Sequence, residues 1–399
     1  MRADRSEKPA HESSPPLRGF RILDLTRLLP GGYATLLLAD LGAEIIKVEE
    51  PGIGDYIRYL PPTVDGESIY FHLINRNKKS VSLNLKDMRG VQIFKRLAAH
   101  ADVVIEGFRP GVVARLGVGY PDLAAVNPDL VYCSVSGYGQ SGPLRDHPGH
   151  DLNYQARSGI LSLMRIGDSI PILPPVQVSD LAGAMSAVIS IIAALLARER
   201  GAGGRSIDVS LHESAMHWTI FAQCETQAEG RSPRQGDSIL TGRFAFYGVY
   251  QAADGRLLSL ALPEHRFWTN FCEAIGRLDF VDRFIEEPSQ SLRDEIAAII
   301  RTRTADEWLE YFAGRDVCCD PVLDLDELRS DPHSLHRRVF ANLPAAEKAL
   351  WCQLFPAHIS GLNPEPSRAP HLGEHNDALL GDLFQHKDEL EELRSAGVI

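Results

Sequence analysis

Apolar and polar positions follow two different rhythms along the first half of the chain. Short apolar runs at Arg21–Leu25 (RILDL), Glu44–Val48 (EIIKV), Asp102–Ile105 (DVVI) and Leu130–Val135 (LVYCSV) predict strands buried on both faces. Val81–Leu85 alternates as a further strand. Between them, Pro30–Leu41 and Gly90–Ala99 carry helical spacing, the first with proline at its start. Strands alternating with helices predict a parallel α/β sheet covered by helices on both faces. The longest apolar run, Leu181–Ala197, is interrupted by Ser186 and Ser190 and directly follows Asp180. It is short for a membrane span and predicts a buried helix. A glycine-rich break (ERGAGGR, 199–205) then leads into one more strand, Ser206–Leu211.

The pattern changes near residue 225. Residues 226–242 are polar with little periodicity, and 244–262 read as a hairpin with Asp254-Gly255 at the turn. Helical spacing returns at 266–276, 291–301 and 305–313, which together predict a smaller α+β domain. A strand-like piece at Pro321–Leu323 leads back toward a C-terminal helix around 377–395.

Composition narrows the function classes. The 399 residues are 44% hydrophobic and 24% charged, ordinary values for a soluble protein. A net charge of −12 argues against broad nucleic-acid binding but leaves room for a local basic pocket. The six cysteines show no zinc spacing and read as free thiols in a reducing compartment. Residues 1–16 are polar, lack the apolar core of a signal peptide and read as a disordered tail. These features predict a cytoplasmic protein without membrane or nucleic-acid partners. No dinucleotide fingerprint follows the first strand, and Walker A and GxSxG motifs are absent.

Three segments carry candidate chemistry. Ser136–Tyr154 (SGYGQSGPLRDHPGHDLNY) is a long loop after a strand, where open α/β sheets bind ligands, and it pairs His150 with Asp151. Its simplest structural role is a surface turn with Asp151 as a helix cap. Asp180 begins the most apolar helix; it can cap that helix, and a carboxylate walled by apolar residues is also a tunable base or nucleophile. Glu264, in LALPEHRF, stands between a strand and a helix and can serve as an N-terminal helix carboxylate. Two basic clusters, Arg76/Lys78/Lys79 and Arg109/Arg115, flank strands. Together they point to a ligand with several phosphates, although each can also be a solvated surface feature.

The segments LTRLLPGGYATLLLADLGAEIIKVEEPGIGD, NRNKKSVSLNLK, EGFRPGVVARLGVGY, YCSVSGYGQSGP, GHDLNY and LGEH, in this order after residue 17, resemble the family III CoA-transferases (CaiB/BaiF type). That superfamily also contains the α-methylacyl-CoA racemases. The resemblance implies an interlocked homodimer with its active site at the interface and a Rossmann-like large domain built from both chain ends. The expected division is a tail at 1–16, the large CoA-binding domain at 17–224, a small α+β domain with linkers at 225–325, and a return to the large domain at 326–399. Coenzyme A enters as part of an acyl-CoA substrate; no prosthetic group or metal is expected.

Similarity to the racemases assigns His150 and Asp180 as a two-base pair, with Glu264 and the CCDPVL segment (Cys318–Leu323) matching further racemase positions. In that mechanism one group removes the α-proton of the thioester and the other returns a proton to the opposite face. Backbone N–H groups at the start of the Asp180 helix are expected to hold the thioester oxygen, and Asp151 or Glu264 to orient His150. In the transferase alternative, which the ESIYFHLINRNKKSVSLNLK and EPGIGDYIR segments resemble, Asp180 attacks the thioester carbonyl and His150 is secondary. A non-catalytic acyl-CoA binder would have no use for His150, Asp180 and Glu264 together. Arg76, Lys78, Lys79, Arg109 and Arg115 are expected to bind CoA. One position departs from the family: Glu50 stands in VEEPG where an arginine commonly helps bind CoA phosphates, so Lys47, Arg76 or Lys79 is expected to compensate.

Overall fold

The computed structural model describes residues 14–64, 66–344, 350–362, 365–384 and 386–399, so residues 1–13 of the expected tail lie outside it. The chain divides into two compact units. The first comprises the chain up to Ser158 together with Pro175–Trp218 and Pro332–Ile399; the second comprises Gly159–Pro174 and Thr219–Asp331.

The first unit is built on six parallel strands: β1 (Arg21–Leu25), β2 (Glu44–Glu49), β3 (Lys78–Ser82), β4 (Val103–Glu106), β5 (Val131–Ser136) and β6 (Arg205–Ser210). Their order across the sheet is β3-β2-β1-β4-β5-β6, and every pairing is parallel. The direction of winding reverses between β1 and β4, which opens a crevice at the carboxyl ends of those strands. The helices that cover the sheet include α1 (Leu28–Asp40), α2 (Met88–Ala98), α3 (Asp151–Ser158) and α4 (Val178–Glu199).

Side chains alternate between two cores, which is why the strands read as unbroken apolar runs. Ile22, Ile45, Val103 and Val131 face Leu37 and Leu38 of α1 and Ala187 and Ile191 of α4. Their neighbours Leu23, Ile46, Val104 and Tyr132 face Phe94 and Leu97 of α2, and Leu393 and Val398 from the chain's end. Asn84 donates its N–H to the carbonyl of Val398, at 2.8 Å. The two ends of the chain thus share one core.

Several predicted elements shift. The strand expected at 81–85 lies at 78–82, because Val81 and the residues before it pair with β2. The single C-terminal helix expected around 377–395 is two helices, Asn376–Leu380 and Lys387–Ser395, and Gln385 between them lies outside the described residues. The buried helix expected at Leu181–Ala197 is present but buried on one face only. Helix α4 buries Ala184, Ala187, Ile191 and Leu195 and exposes Met185, Ile189 and Leu196. By length and composition alone it could cross a membrane, but one face is committed to the core.

The second unit has a three-stranded antiparallel sheet of β7 (Tyr247–Gln251), β8 (Leu257–Ala261) and β9 (Cys319–Pro321), in the order β9-β8-β7. The strand read at 321–323 lies two residues earlier, at 319–321, as an edge strand of this small sheet. Helix α5 (His265–Ala274) buries Trp268 and Phe271 against Leu258, Leu260 and Phe280. The polar stretch 226–242 had hidden the end of a helix, Ile220–Glu229, which has no buried residue.

Candidate active site

Residues 137–150 form the loop after β5, and helix α3 begins at Asp151. His150 is exposed, and its backbone carbonyl accepts from the N–H groups of Asn153 (2.8 Å) and Tyr154 (3.3 Å). The Asn153 carboxamide oxygen accepts from His150 N at 3.0 Å. The histidine is thereby fixed by its main chain at the entry to α3. The Tyr154 ring anchors the loop from below. Its hydroxyl donates to the Gly149 carbonyl at 2.5 Å, and a Cβ at Gly149 would lie 2.7 Å from the ring. Only glycine permits this approach, so the residue before His150 is set by the packing of Tyr154.

Asp180 lies in the first turn of α4 and is half-buried. Burial, together with the negative charge of Asp151, pushes its carboxyl up to about 7. Asp151 reaches across from α3: its Oδ1 accepts from Ser179 N at 2.8 Å and from Asp180 N at 3.1 Å. Its Oδ2 accepts from the buried Gln155 carboxamide. Asp151 is thus a cap, but of α4 rather than of the helix it begins.

Two sequence expectations are corrected here. The Asp151 carboxylate binds the α4 N-terminus and makes no bond to the His150 ring, so it does not orient that imidazole. The first-turn N–H groups assigned to a thioester oxygen are already satisfied. Ser179 and Asp180 donate to Asp151, and Leu181 donates to the Gln177 carbonyl at 3.0 Å.

Glu264 belongs to the second unit, where it is exposed and precedes α5 as an extended residue without a side-chain capping bond. Asp151 and Asp180 are brought together within the first unit, which also carries His150.

The basic residues divide sharply. Arg109 and Arg115 follow β4 at the carboxyl end of the sheet, and both are exposed. At Gly111 (φ +82°) a Cβ would lie 3.2 Å from Arg145 Nη2 and 3.4 Å from Arg115 Nη1, so two guanidinium groups converge on this bend. Arg109, Arg115 and Arg145 have no carboxylate partner among the described residues.

The other cluster begins at the amino end of β3 and corrects the expectation for Arg76 and Lys78. Arg76, 2% exposed, forms a bidentate pair with Asp40 and donates to the Gln353 carbonyl at 2.9 Å. The Lys78 ammonium is fully buried among Asn75 Oδ1 (2.9 Å), Thr35 Oγ1 (2.7 Å), the Gly32 carbonyl (3.0 Å) and Asp24 (3.4 Å). Burial lowers it to about 8 against the pull of Asp24. Lys79 pairs with Glu44, the first residue of β2, at 2.6 Å. Arg76 and Lys79 hold the fold at the amino ends of the strands, and the Lys78 ammonium is locked inside it between β1 and α1.

A cavity of about 240 Å³ opens at the carboxyl ends instead, lined by Leu25, Arg27, Glu50, Tyr56, Lys86 and Phe108 among others. It sits where the winding reverses. The Arg27 guanidinium lies over the rings of Tyr56 (4.9 Å) and Phe108 (5.4 Å). Glu106 accepts from Phe108 N at 2.8 Å and so sets the loop that carries this wall. Glu50 is bracketed by Lys86 at 2.9 Å and Arg27 at 3.6 Å. None of the three expected compensators reaches it: Lys47 is buried against Asp55 at 2.8 Å, and Arg76 and Lys79 are held as described. Arg27 and Lys86 were missed in the sequence, although each follows a predicted strand.

Comparison with known proteins agrees with this architecture. Residues 17–376 match the family model described as CoA-transferase family III. The chain is 34% identical to succinyl-CoA:glutarate CoA-transferase of Mus musculus, over 97% of this chain and 91% of that protein. It is 32% identical to alpha-methylacyl-CoA racemase of the same organism, over 96% and 97% respectively. A crystal structure of a CAIB/BAIF family protein from Brucella suis superposes with a TM-score of 0.80 at 29% identity, covering 92% of this chain and 99% of that one. With its doubly wound parallel sheet and a family match spanning nearly its whole length, the chain belongs to CoA-transferase family III and is an acyl-CoA-handling enzyme of that superfamily.

Proposed function

We propose that this enzyme racemises the α-carbon of a 2-methylacyl-CoA, with His150 and Asp180 as the two groups that exchange the proton. One observation carries the reading: Asp180 is a half-buried carboxyl poised at about 7, beside a helix entry that carries a histidine. A group that exchanges protons at neutral pH works best with an affinity near that pH. Asp180 as base takes the α-proton, the electron pair moves into the thioester enolate, and protonated His150 delivers a proton to the opposite face. In the reverse direction the roles exchange.

A second reading is favoured by the mouse relative at 34% identity, a CoA-transferase. Here the ionised Asp180 attacks the thioester carbonyl, CoA thiolate leaves, and an acyl–aspartyl anhydride carries the acyl group onward. Incubation with a 2-methylacyl-CoA in D₂O, without any free acid, separates the two. The racemase reading expects deuterium at the α-carbon and loss of stereochemical purity, both reduced about 10²–10⁴-fold by His150→Ala. Absence of exchange, with CoA transfer once free carboxylic acids are added, overturns it. The reading also includes a homodimer; the exposed apolar stripe Met185, Ile189 and Leu196 supports a partner copy on α4.

In this reading the 3′-phosphoadenosine end of CoA enters the cavity at the switch point, its base against Tyr56 and Phe108 and its phosphates toward Arg27, Lys86 and Arg115. Glu50 then opposes the ligand, since its carboxylate holds the two cations that a phosphate would use. Glu50→Gln is expected to tighten CoA about 5- to 10-fold, the effect of removing one charge several ångströms away in high dielectric. Calorimetric titration with CoA checks this, and an unchanged affinity would put the phosphates elsewhere.

A further inference from the structure

We infer that Asp151 is a positioning residue for Asp180: its carboxylate fastens the first turn of α4 and stands as a fixed negative charge beside the reacting carboxyl. This rests on the reading of Asp180 as the reacting group, which the racemase and transferase alternatives share.

The geometry is specific. Asp151 and Asp180 lie on different helices, 29 residues apart, yet Oδ1 of Asp151 accepts from the backbone N–H of both Ser179 and Asp180. Helix α4 has no capping side chain of its own: Gln177 at its N-cap makes no side-chain bond. Ser179 is fully buried, and its hydroxyl has no hydrogen-bond partner among the described residues. The cap is therefore supplied from α3. Gln155, one turn on, donates its carboxamide to the other Asp151 oxygen and holds the carboxylate in place.

This arrangement has an electrostatic consequence. A cap is ordinarily a convenience for the helix, and a serine or asparagine serves as well as aspartate. A charged cap beside a carboxyl that must hold and release a proton also disfavours ionisation of that carboxyl. Burial and Asp151 are the two influences on Asp180. From α3, Asp151 and Tyr154 are the titratable groups near it; Arg109, from the loop after β4, acts on Tyr154. Among the described residues, no charge on α1, on the helix Leu211–His217 or on strands β5 and β6 offsets the repulsion. The aspartate thus does what a neutral cap cannot.

Asp151→Asn retains a neutral oxygen at the same reach for the two N–H groups and removes the charge; Asp151→Ser removes the charge with its oxygen one bond nearer the main chain. With aspartate carbon-13-labelled at the carboxyl, and the Asp180 signal assigned through Asp180→Asn, the titration of Asp180 is read directly by NMR. Both variants are expected to move it to lower pH by on the order of one unit. The acid limb of kcat/KM should move to lower pH with it. If the signal titrates where it does in the parent protein while thermal stability falls, Asp151 is a structural cap only and the inference fails. If Asp180→Asn retains turnover, it is the reading of Asp180 that fails, whatever the titration shows.

Discussion

Asp180→Asn lowers turnover by about 10²–10⁴-fold while leaving CoA affinity within a few-fold of the parent enzyme. The substitution preserves shape and removes the ability to take up a proton or to attack a carbonyl. Because the cap on α4 comes from Asp151 through backbone N–H groups, the helix start survives the change. The pH profile then distinguishes the chemistries. A racemising pair works only when it carries one proton, so kcat/KM is bell-shaped and its limbs belong to the pair. A nucleophilic carboxylate needs only to be ionised. For it, kcat/KM falls as pH drops through about 7, where Asp180 becomes protonated, and shows no alkaline limb from His150. Steady-state rates of both variant and parent from pH 5 to 9 check the prediction. Full activity of Asp180→Asn would remove this carboxyl from either mechanism.

The largest effect on stability is expected from Asp40→Ala. Asp40 and Arg76 are both buried, and the guanidinium reaches further to the Gln353 carbonyl, 277 residues along the chain. Removing the carboxylate leaves a buried cation without its counter-charge, at a cost of about 3–5 kcal/mol. The exposed pair Arg89–Asp87 provides the contrast, since such surface pairs contribute little. Urea denaturation of Asp40→Ala beside Arg89→Ala, which removes the surface pair and keeps the Asp87 cap on the Arg89 N–H, measures the difference. In parallel, Arg76→Met, which fills the site with an apolar chain, should bind CoA as the parent does when folded. A loss of CoA affinity in folded Arg76→Met would return this residue to the ligand site.

The hydrophobic pattern alone determined the order of the six strands and of α1, α2 and α4 in the first unit, because the central strands are buried on both faces and these helices pack a face on the core; α3 lies where the pattern reads as loop. It also located Asp180 at the start of an apolar helix, and His150 beside Asp151 in a loop after a strand. Local periodicity reports which face of an element is covered, and these features are local. It does not report what lies opposite. Asp151 caps a helix 28 residues on, and Arg76 finds its carboxylate 36 residues back. Arg76, Lys78 and Lys79 looked like a phosphate site because a cationic run has the same sequence whether it is solvated or buried. Parallel pairing of β3 with β2 put Arg76 and Lys79 at the amino ends against Asp40 and Glu44 and turned Lys78 inward onto Asp24, while the cavity formed at the carboxyl ends. Likewise Glu50 could be seen as a departure from the family, but only the convergence of β1, β2 and β3 brought Arg27 and Lys86 to it. Sequence determined which residues could carry charge and chemistry; tertiary pairing decided which of those charges are neutralised inside the fold and which remain free to meet a substrate.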